Sequence, residues 1–375
     1  KRIPYAKKCG RSWMIPYDTE KPVDLRREKK MSGISLDSEL VHMIEATSLP
    51  MPMHNPDSIL EIVKEEKERL QYESELAYLR GDFVRAMRCY DKTEGNDVAR
   101  LRASLVAVAA AISLGDYPAY LKIEAYLKSY LDKGNDRVSS AVAELALASV
   151  AVSVFAPNMV PDWLKEGDFS AFPVQSKSSY LTYLRAKYFI SIEKYELALA
   201  VAQTALTFCE SEKGITFQEI YLRVVCAIAC HCLDRENEAK RWLKEALCIA
   251  LPHGFITPFA EHVSDFGGLV EQCLEETFSE RCNAIISQWQ RTVSNWIVFH
   301  NRFTKDNISF ILSRREAHIA ILVARRVPYA KIAKQFNISV GRLKNIMLEI
   351  YEKLYISSRD ELAQYVLITH KGDRS

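Results

Sequence analysis

Residues 312–366 read LSRREAHIAILVARRVPYAKIAKQFNISVGRLKNIMLEIYEKLYISSRDELAQYV, and the spacing within this stretch decides the fold of the chain's end. Ser313-x-x-Glu316 is a capping box, in which each side chain satisfies a backbone amide of the first helical turn. The helix it opens carries Ile319, Leu322 and Val323 on one face. Pro328 suits the first turn of a second helix, where its missing donor has no role. Ile332, Ala333 and Phe336 turn inward there, with Ala333 small enough for two helices to cross closely. Asn337 tolerates the left-handed conformation that ends a helix, and Ser339 caps a third. In that third helix Leu343, Met347, Ile350 and Leu354 form a single apolar stripe at helical spacing.

What lies off the stripe is basic and polar: Arg342, Lys344, Asn345 and Glu349. Side chains of these types near a helix start reach base edges and phosphates in a DNA groove. Charge distribution agrees. From Leu312 to Ser375 twelve Lys/Arg face six Asp/Glu, a net of +6, so the remaining residues carry −4 of the chain's total of +2. A basic end on a mildly acidic body points to a polyanion partner for the end alone. Arg342 and Asn345 are expected to approach bases, while Tyr329, Lys331, Lys344 and Lys353 hold phosphates. Ser339 and Leu343 complete the predicted DNA-binding set.

The segment resembles the LuxR-type helix-turn-helix of bacterial transcription regulators. The resemblance rests on Leu312-Ser313-Arg314-Arg315-Glu316, Ile332-Ala333, Ile338-Ser339, Lys344, Ile350-x-x-Lys353-Leu354 and Ser358-x-x-x-Leu362, without a gap. Arg326 stands where the family usually has Gly, Lys331 replaces a common Glu, Arg342-Leu343 replace a Thr-Val pair and Ile346 stands where His is frequent. These departures bear on the turn and on sequence preference. The resemblance also implies that the last helix, with Leu362, Tyr365 and Val366, supports dimerisation on a two-half-site operator.

Upstream, residues 57–300 read as almost wholly helical, and a repeat is visible. LAYLRGDFVRAMRCY at 76–90 is echoed by VAAAISLGDYPAYLKIEAYL at 108–127, with 34 residues from Gly81 to Gly115 and from Phe83 to Tyr117. Weaker echoes occupy 184–206 and 226–247. Each is a helix, a short turn, then a second helix opening near a small residue: Ala86, Ala198, Ala239. Such hairpins bury their apolar faces only against neighbours, so they must stack. The pattern resembles a degenerate tetratricopeptide repeat, and the whole layout is similar to the maltose-regulator-type branch of the LuxR family. Regularity fades over 139–173. A long amphipathic helix is expected over roughly 277–299.

The predicted fold class is therefore all-α, in four parts: an irregular basic arm over 1–56, a helical repeat body over 57–300, a linker over 301–311 and the helix-turn-helix over 312–375. In the body, Pro252, Gly254 and Pro258 bring Phe255 and Phe259 together; these read as a hydrophobic turn or as the wall of a ligand pocket. Cys226, Cys230 and Cys232 beside His231 read as small buried apolar residues rather than a metal site. Nine scattered cysteines suit a reducing, cytoplasmic setting. No apolar run reaches membrane-spanning length. No P-loop, His-pair metal motif or G-x-S-x-G turn is found, so no cofactor and no enzyme activity are expected. The expected function is transcription regulation. Its expected partners are double-stranded DNA, a small-molecule or peptide signal sensed by the body, and a second copy of the chain. The alternative is a protein-interaction scaffold in which DNA binding is secondary.

Overall fold

The computed structural model describes residues 7–9, 12–14 and 55–366, apart from residues 133–136, 171, 173–178, 210–215, 267, 306–311, 313, 337 and 355. The arm, expected to be irregular, contains a small antiparallel ribbon, β1 (Lys7–Cys9) with β2 (Ser12–Met14), Lys8 opposite Trp13. Every other regular element described is helical.

After the single turn α1 (Ile59–Ile62), helices fold back on one another in pairs. These are α2 (Glu66–Leu79) with α3 (Phe83–Lys92), then α4 (Asp97–Leu114) with α5 (Tyr117–Asp132). Next come α6 (Arg137–Ser153) and the short α7 (Asp162–Glu166), then α8 (Ser179–Ser191) with α9 (Tyr195–Cys209) and α10 (Phe217–Cys232) with α11 (Glu236–Ala250). Regularity holds further than the sequence pattern suggests, because α6 is helical from Arg137 to Ser153. Its Val142, Ala143, Leu145 and Val152 are wholly buried on several sides at once. A helix covered all round has no polar stripe to reveal its period.

All four pair turns use the same backbone device. A residue one or two positions past the first helix takes a left-handed conformation: Gly81 at φ +82°, Gly115 at +72°, Glu193 at +60° and Asp234 at +60°. The next amide then reaches back to a carbonyl inside the helix, as in Asp82 N to Ala77 O (2.9 Å) and Lys194 N to Phe189 O (2.8 Å). This closure satisfies carbonyls that a helix end leaves open. Asp82 and Asp116 then cap the second helices, accepting from Arg85 N (3.0 Å) and Ala119 N (2.9 Å). Ala86, Ala198 and Ala239 are wholly buried where the paired helices approach.

The short α12 (Thr257–Ala260) and α13 (Leu269–Thr277) lead into α14 (Ser279–Thr304), a helix of 26 residues that crosses the body. It is tied to the turns it passes. Gln288 donates to Thr257 Oγ1 (2.9 Å), whose hydroxyl donates to Tyr78 O (2.6 Å). Asn295 donates to Ser113 O (2.9 Å), Trp296 to Ser153 O (2.8 Å) and His300 Nδ1 to Val154 O (2.7 Å). This crossing explains why the first two turns hold glycine. A Cβ at Gly81 would lie 2.1 Å from Gln288 Oε1, and one at Gly115 would lie 2.6 Å from Asn295 Oδ1. At Glu193 and Asp234 a side chain is accommodated at similar φ.

The long helix outruns its predicted end by five residues and stops at Lys305, φ +62°. The remaining helices are α15 (Arg314–Ala324), α16 (Tyr329–Gln335), α17 (Val340–Leu354) and α18 (Arg359–Val366). They enclose a second core around Ile319, Val323, Ile332, Phe336, Leu343 and Ile350, all wholly buried. Helix α14 serves both cores, with Phe299 in the first and Ile297 in the second. No helix among the described residues is long and apolar enough to cross a membrane.

Candidate nucleic-acid interface and inner cavity

Helix α17 starts where its cap predicts: Arg342 N donates to Ser339 Oγ at 3.0 Å. Leu343, Ile346, Met347, Ile350 and Leu354 are buried on its inner side. Outward, Arg342, Lys344, Asn345, Leu348 and Glu349 are exposed, Leu348 to 61%. Arg342 lies 3.8 Å from Glu349, two turns further along the same exposed face. Lys331 is exposed on α16, and Tyr329 is half-buried beside Tyr351, whose phenol is raised above its ordinary value by burial first and then by Tyr329. The cluster therefore brings Tyr329, Lys331, Ser339, Arg342, Lys344 and Asn345 to the surface of α16 and α17.

Three predicted positions are placed otherwise. Leu343 is 0% exposed and belongs to the apolar core, as its place on the stripe requires. Lys353 donates to Glu316 at 2.7 Å, tying α17 to α15 instead of standing free for a phosphate. Leu362 is wholly buried against the same core, because α18 packs back on α15, so it offers nothing to a second copy. Tyr365 and Val366 have side chains outside the described residues. Ser313 and Asn337, the expected cap and helix end, are also outside them. At Arg326 the backbone keeps the left-handed turn, φ +61°, that Gly would take without strain; Val327 N closes on Leu322 O at 3.0 Å.

Phe255 and Phe259 are both wholly buried in the first core, and neither is part of the wall of the cavities described here. The cavity lies deeper, under α14. It measures about 120 Å³ and draws its wall from α2, α4, α8, α10, α14 and the segment around α12. A ladder of rings runs along it: Tyr180 to Tyr183 (centroids 6.0 Å), Tyr183 to Tyr221 (5.5 Å) and Tyr221 to Phe217 (4.6 Å). Trp289 and Trp296 face it from α14.

Two carboxyls line this cavity. Glu261 accepts from Tyr221 Oη (2.9 Å) and from the Tyr78 hydroxyl. Its charge, together with burial as the larger cause, drives the phenols of Tyr78, Tyr183 and Tyr221 far above their ordinary value. Glu75 is only 5% exposed and accepts from Gln71 Nε2 (3.2 Å). Burial pushes its carboxyl up to about 8, against the lowering effect of the Gln71 hydrogen bond. Sequence reading missed this site. The one local signal was an acid, Glu75, set among apolar residues in YESELAYL.

The two cores meet beside the cavity. Leu312 and Ala317, from the C-terminal cluster, form part of its wall. A second cavity of about 240 Å³ lies between body and cluster, lined by Tyr195, His231, His300, Arg315 and His318 among others. Across it His318 Nδ1 pairs with Glu193 at 2.8 Å, the carboxylate being buried in its strained turn. Asp234, the left-handed residue of the last pair turn, shares a crevice with Arg342. Cys226, Cys230 and Cys232 are buried thiols, with Cys230 pushed up to about 11 and Cys232 to about 12 mainly by burial. No protein-family model matches the chain, and no curated protein matches it.

Proposed function

We propose that the chain is a sequence-specific DNA-binding transcription regulator of LuxR type, whose helical body senses a small molecule. In this reading α16 and α17 are the helix-turn-helix, and α17 is the helix that enters the major groove. The observation that carries it is the outward face of α17. Arg342, Lys344 and Asn345 stand exposed in the first turns, opposite a filled apolar stripe, behind a capped helix start. Arg342 and Asn345 read bases; Lys344, Lys331 and Tyr329 hold phosphates. Leu343 supports the helix from within, and Lys353 ties it to α15 through Glu316.

The paired helices of the body are tetratricopeptide-like, and their stack forms the sensor. Helix α14 crosses the cavity and lends it Trp289, Thr292 and Trp296, an arrangement that suits a small molecule better than an extended peptide. Occupancy is coupled to DNA because Leu312 and Ala317 are part of the same wall, and Asp234 lines the same crevice as Arg342. A ligand that shifts the body against the cluster changes both the packing and the field at the base-reading helix. Pairing of two copies on adjacent half-sites is expected to use residues other than Leu362.

Selecting bound duplexes from random oligonucleotides with the full chain tests this directly. Enrichment of one motif is the expected result, and Arg342→Ala should relax choice at one base position while costing about 1–3 kcal/mol. Equal recovery of every sequence, or no recovery, would overturn the assignment.

A further inference from the structure

The inner cavity has room for one small ring. Its volume is about 120 Å³, and an apolar cavity of about 150 Å³ takes a single benzene. Rings dominate its wall. Tyr180, Tyr183, Tyr221 and Phe217 follow one another at centroid distances of 6.0, 5.5 and 4.6 Å, and α14 adds Trp289 and Trp296. Aromatic rings attract one another at such spacings, so a further ring gains contacts that an aliphatic group of the same volume does not. Leu105, Ile112 and Leu184 make more of the wall apolar.

The charged side chains of the described wall are already engaged by the protein. Glu261 accepts from Tyr221 Oη at 2.9 Å and from the Tyr78 hydroxyl. His262 Nδ1 pairs with Asp265 at 2.7 Å. Lys187 lies over the Tyr183 ring, 5.9 Å from its centroid. Glu75 accepts from Gln71 Nε2 at 3.2 Å, and burial keeps its carboxyl protonated at neutral pH. An ion entering this space gives up its water and meets opposite charges that other groups already hold, which is costly. A neutral molecule escapes that cost. Two hydroxyls of the wall have their own protons committed, Ser149 to Ala146 O at 2.7 Å and Thr292 to Gln288 O at 3.0 Å. Their oxygens are therefore left to act as acceptors.

We propose that this cavity binds a small neutral aromatic molecule, one ring carrying a short hydroxyl tail, and rejects ammonium and carboxylate compounds of the same size. The inference rests on the sensor role proposed above and names the ligand class of that site. The ring joins the row of tyrosines. The hydroxyl donates to Ser149 or Thr292.

The test uses the full chain without DNA and four probes of nearly one size: benzyl alcohol, benzylamine, benzoate and cyclohexylmethanol. Binding is read at pH 7 by titration calorimetry and from the thermal midpoint. Benzyl alcohol should bind and raise the midpoint. Benzylamine and benzoate, both ions at that pH, should bind about tenfold more weakly or worse. Cyclohexylmethanol keeps the hydroxyl and loses the ring, and should bind about threefold more weakly or worse. Ala109→Leu fills the cavity from α4 and should abolish benzyl alcohol binding, with circular dichroism showing that the variant folds. If it fails to fold, Thr292→Leu and the four-probe comparison decide. Equal or tighter binding of either ion or of cyclohexylmethanol overturns the proposal. So does unaltered binding in the filled variant, or no binding of benzyl alcohol at millimolar concentration. Duplex binding by the same protein is read separately. Its loss would strike the regulator reading and leave the ligand result standing, whereas intact duplex binding beside a failed benzyl alcohol titration would strike this inference alone.

Discussion

The body and the C-terminal cluster handle charge in opposite ways. The body turns carboxyls inward: Glu75, Glu193 and the half-buried Glu261 all face cavities. The cluster turns cations outward on α16 and α17, and spends its own carboxylates on structural ties, Glu316 to Lys353 and Asp360 to Arg326. A carboxyl withheld from water, as at Glu75, is held protonated by burial. In the proposed reading, the charge displayed in water meets the field of a large polyanion at a distance. On that reading these are two recognition surfaces of different scale, and α14 belongs to both cores.

The largest expected effect separates support from contact within α17. Leu343→Ala should destabilise the cluster by about 2–5 kcal/mol, as buried leucine truncations do, seen in denaturant melts. Unchanged stability with lost DNA affinity would make Leu343 a contact after all. At the surface, Lys331→Ala should weaken all duplexes alike and lower the salt slope by about 1, whereas a sequence-dependent loss would make it a base reader.

The inward charge has a pH signature. An acid whose folded value is raised binds its proton more tightly when folded. The stability it contributes is thus whole below the ordinary 4.5 and drains away as pH rises toward about 8. Glu75→Gln should therefore raise the thermal midpoint, with a gain that grows from pH 5 to pH 8.5. A gain that is flat across that range would mean that Glu75 is not held protonated by burial. The smallest effect concerns the turn before α16. Arg326→Gly should stabilise the cluster by about 1 kcal/mol, because a non-glycine residue is strained at φ +61°. Its ion pair with Asp360 is exposed at both ends and offsets little.

How far these features could be foreseen depends on whether their cause is local. The cap at Ser339, the stripe from Leu343 to Leu354 and the 34-residue step from Gly81 to Gly115 are set by spacing along the chain, and they are legible in it. The meaning of that glycine step is not local. It reflects Gln288 and Asn295, which press on the two turns from a helix some two hundred residues onward. The later turns read only as weaker echoes because Glu193 and Asp234 take the same conformation without glycine. The cavity was invisible for a similar reason. It exists only where α14 closes over rings and acids contributed by separate pairs, while Phe255 and Phe259, conspicuous in sequence, fill the core instead. Leu362 likewise reads as an exposed dimer residue until α18 is seen folded back on α15.

The central claim is that the outward face of α17 meets DNA. The most direct measurement is the affinity of the full chain for a labelled duplex between 50 and 200 mM salt, on the order of the range where counterion release is read. The expected result is a linear fall of log affinity with log salt, shallower when Arg342 and Lys344 are both replaced by Ala. A duplex affinity that is absent at the lowest salt, or that does not change with those two substitutions, would contradict it.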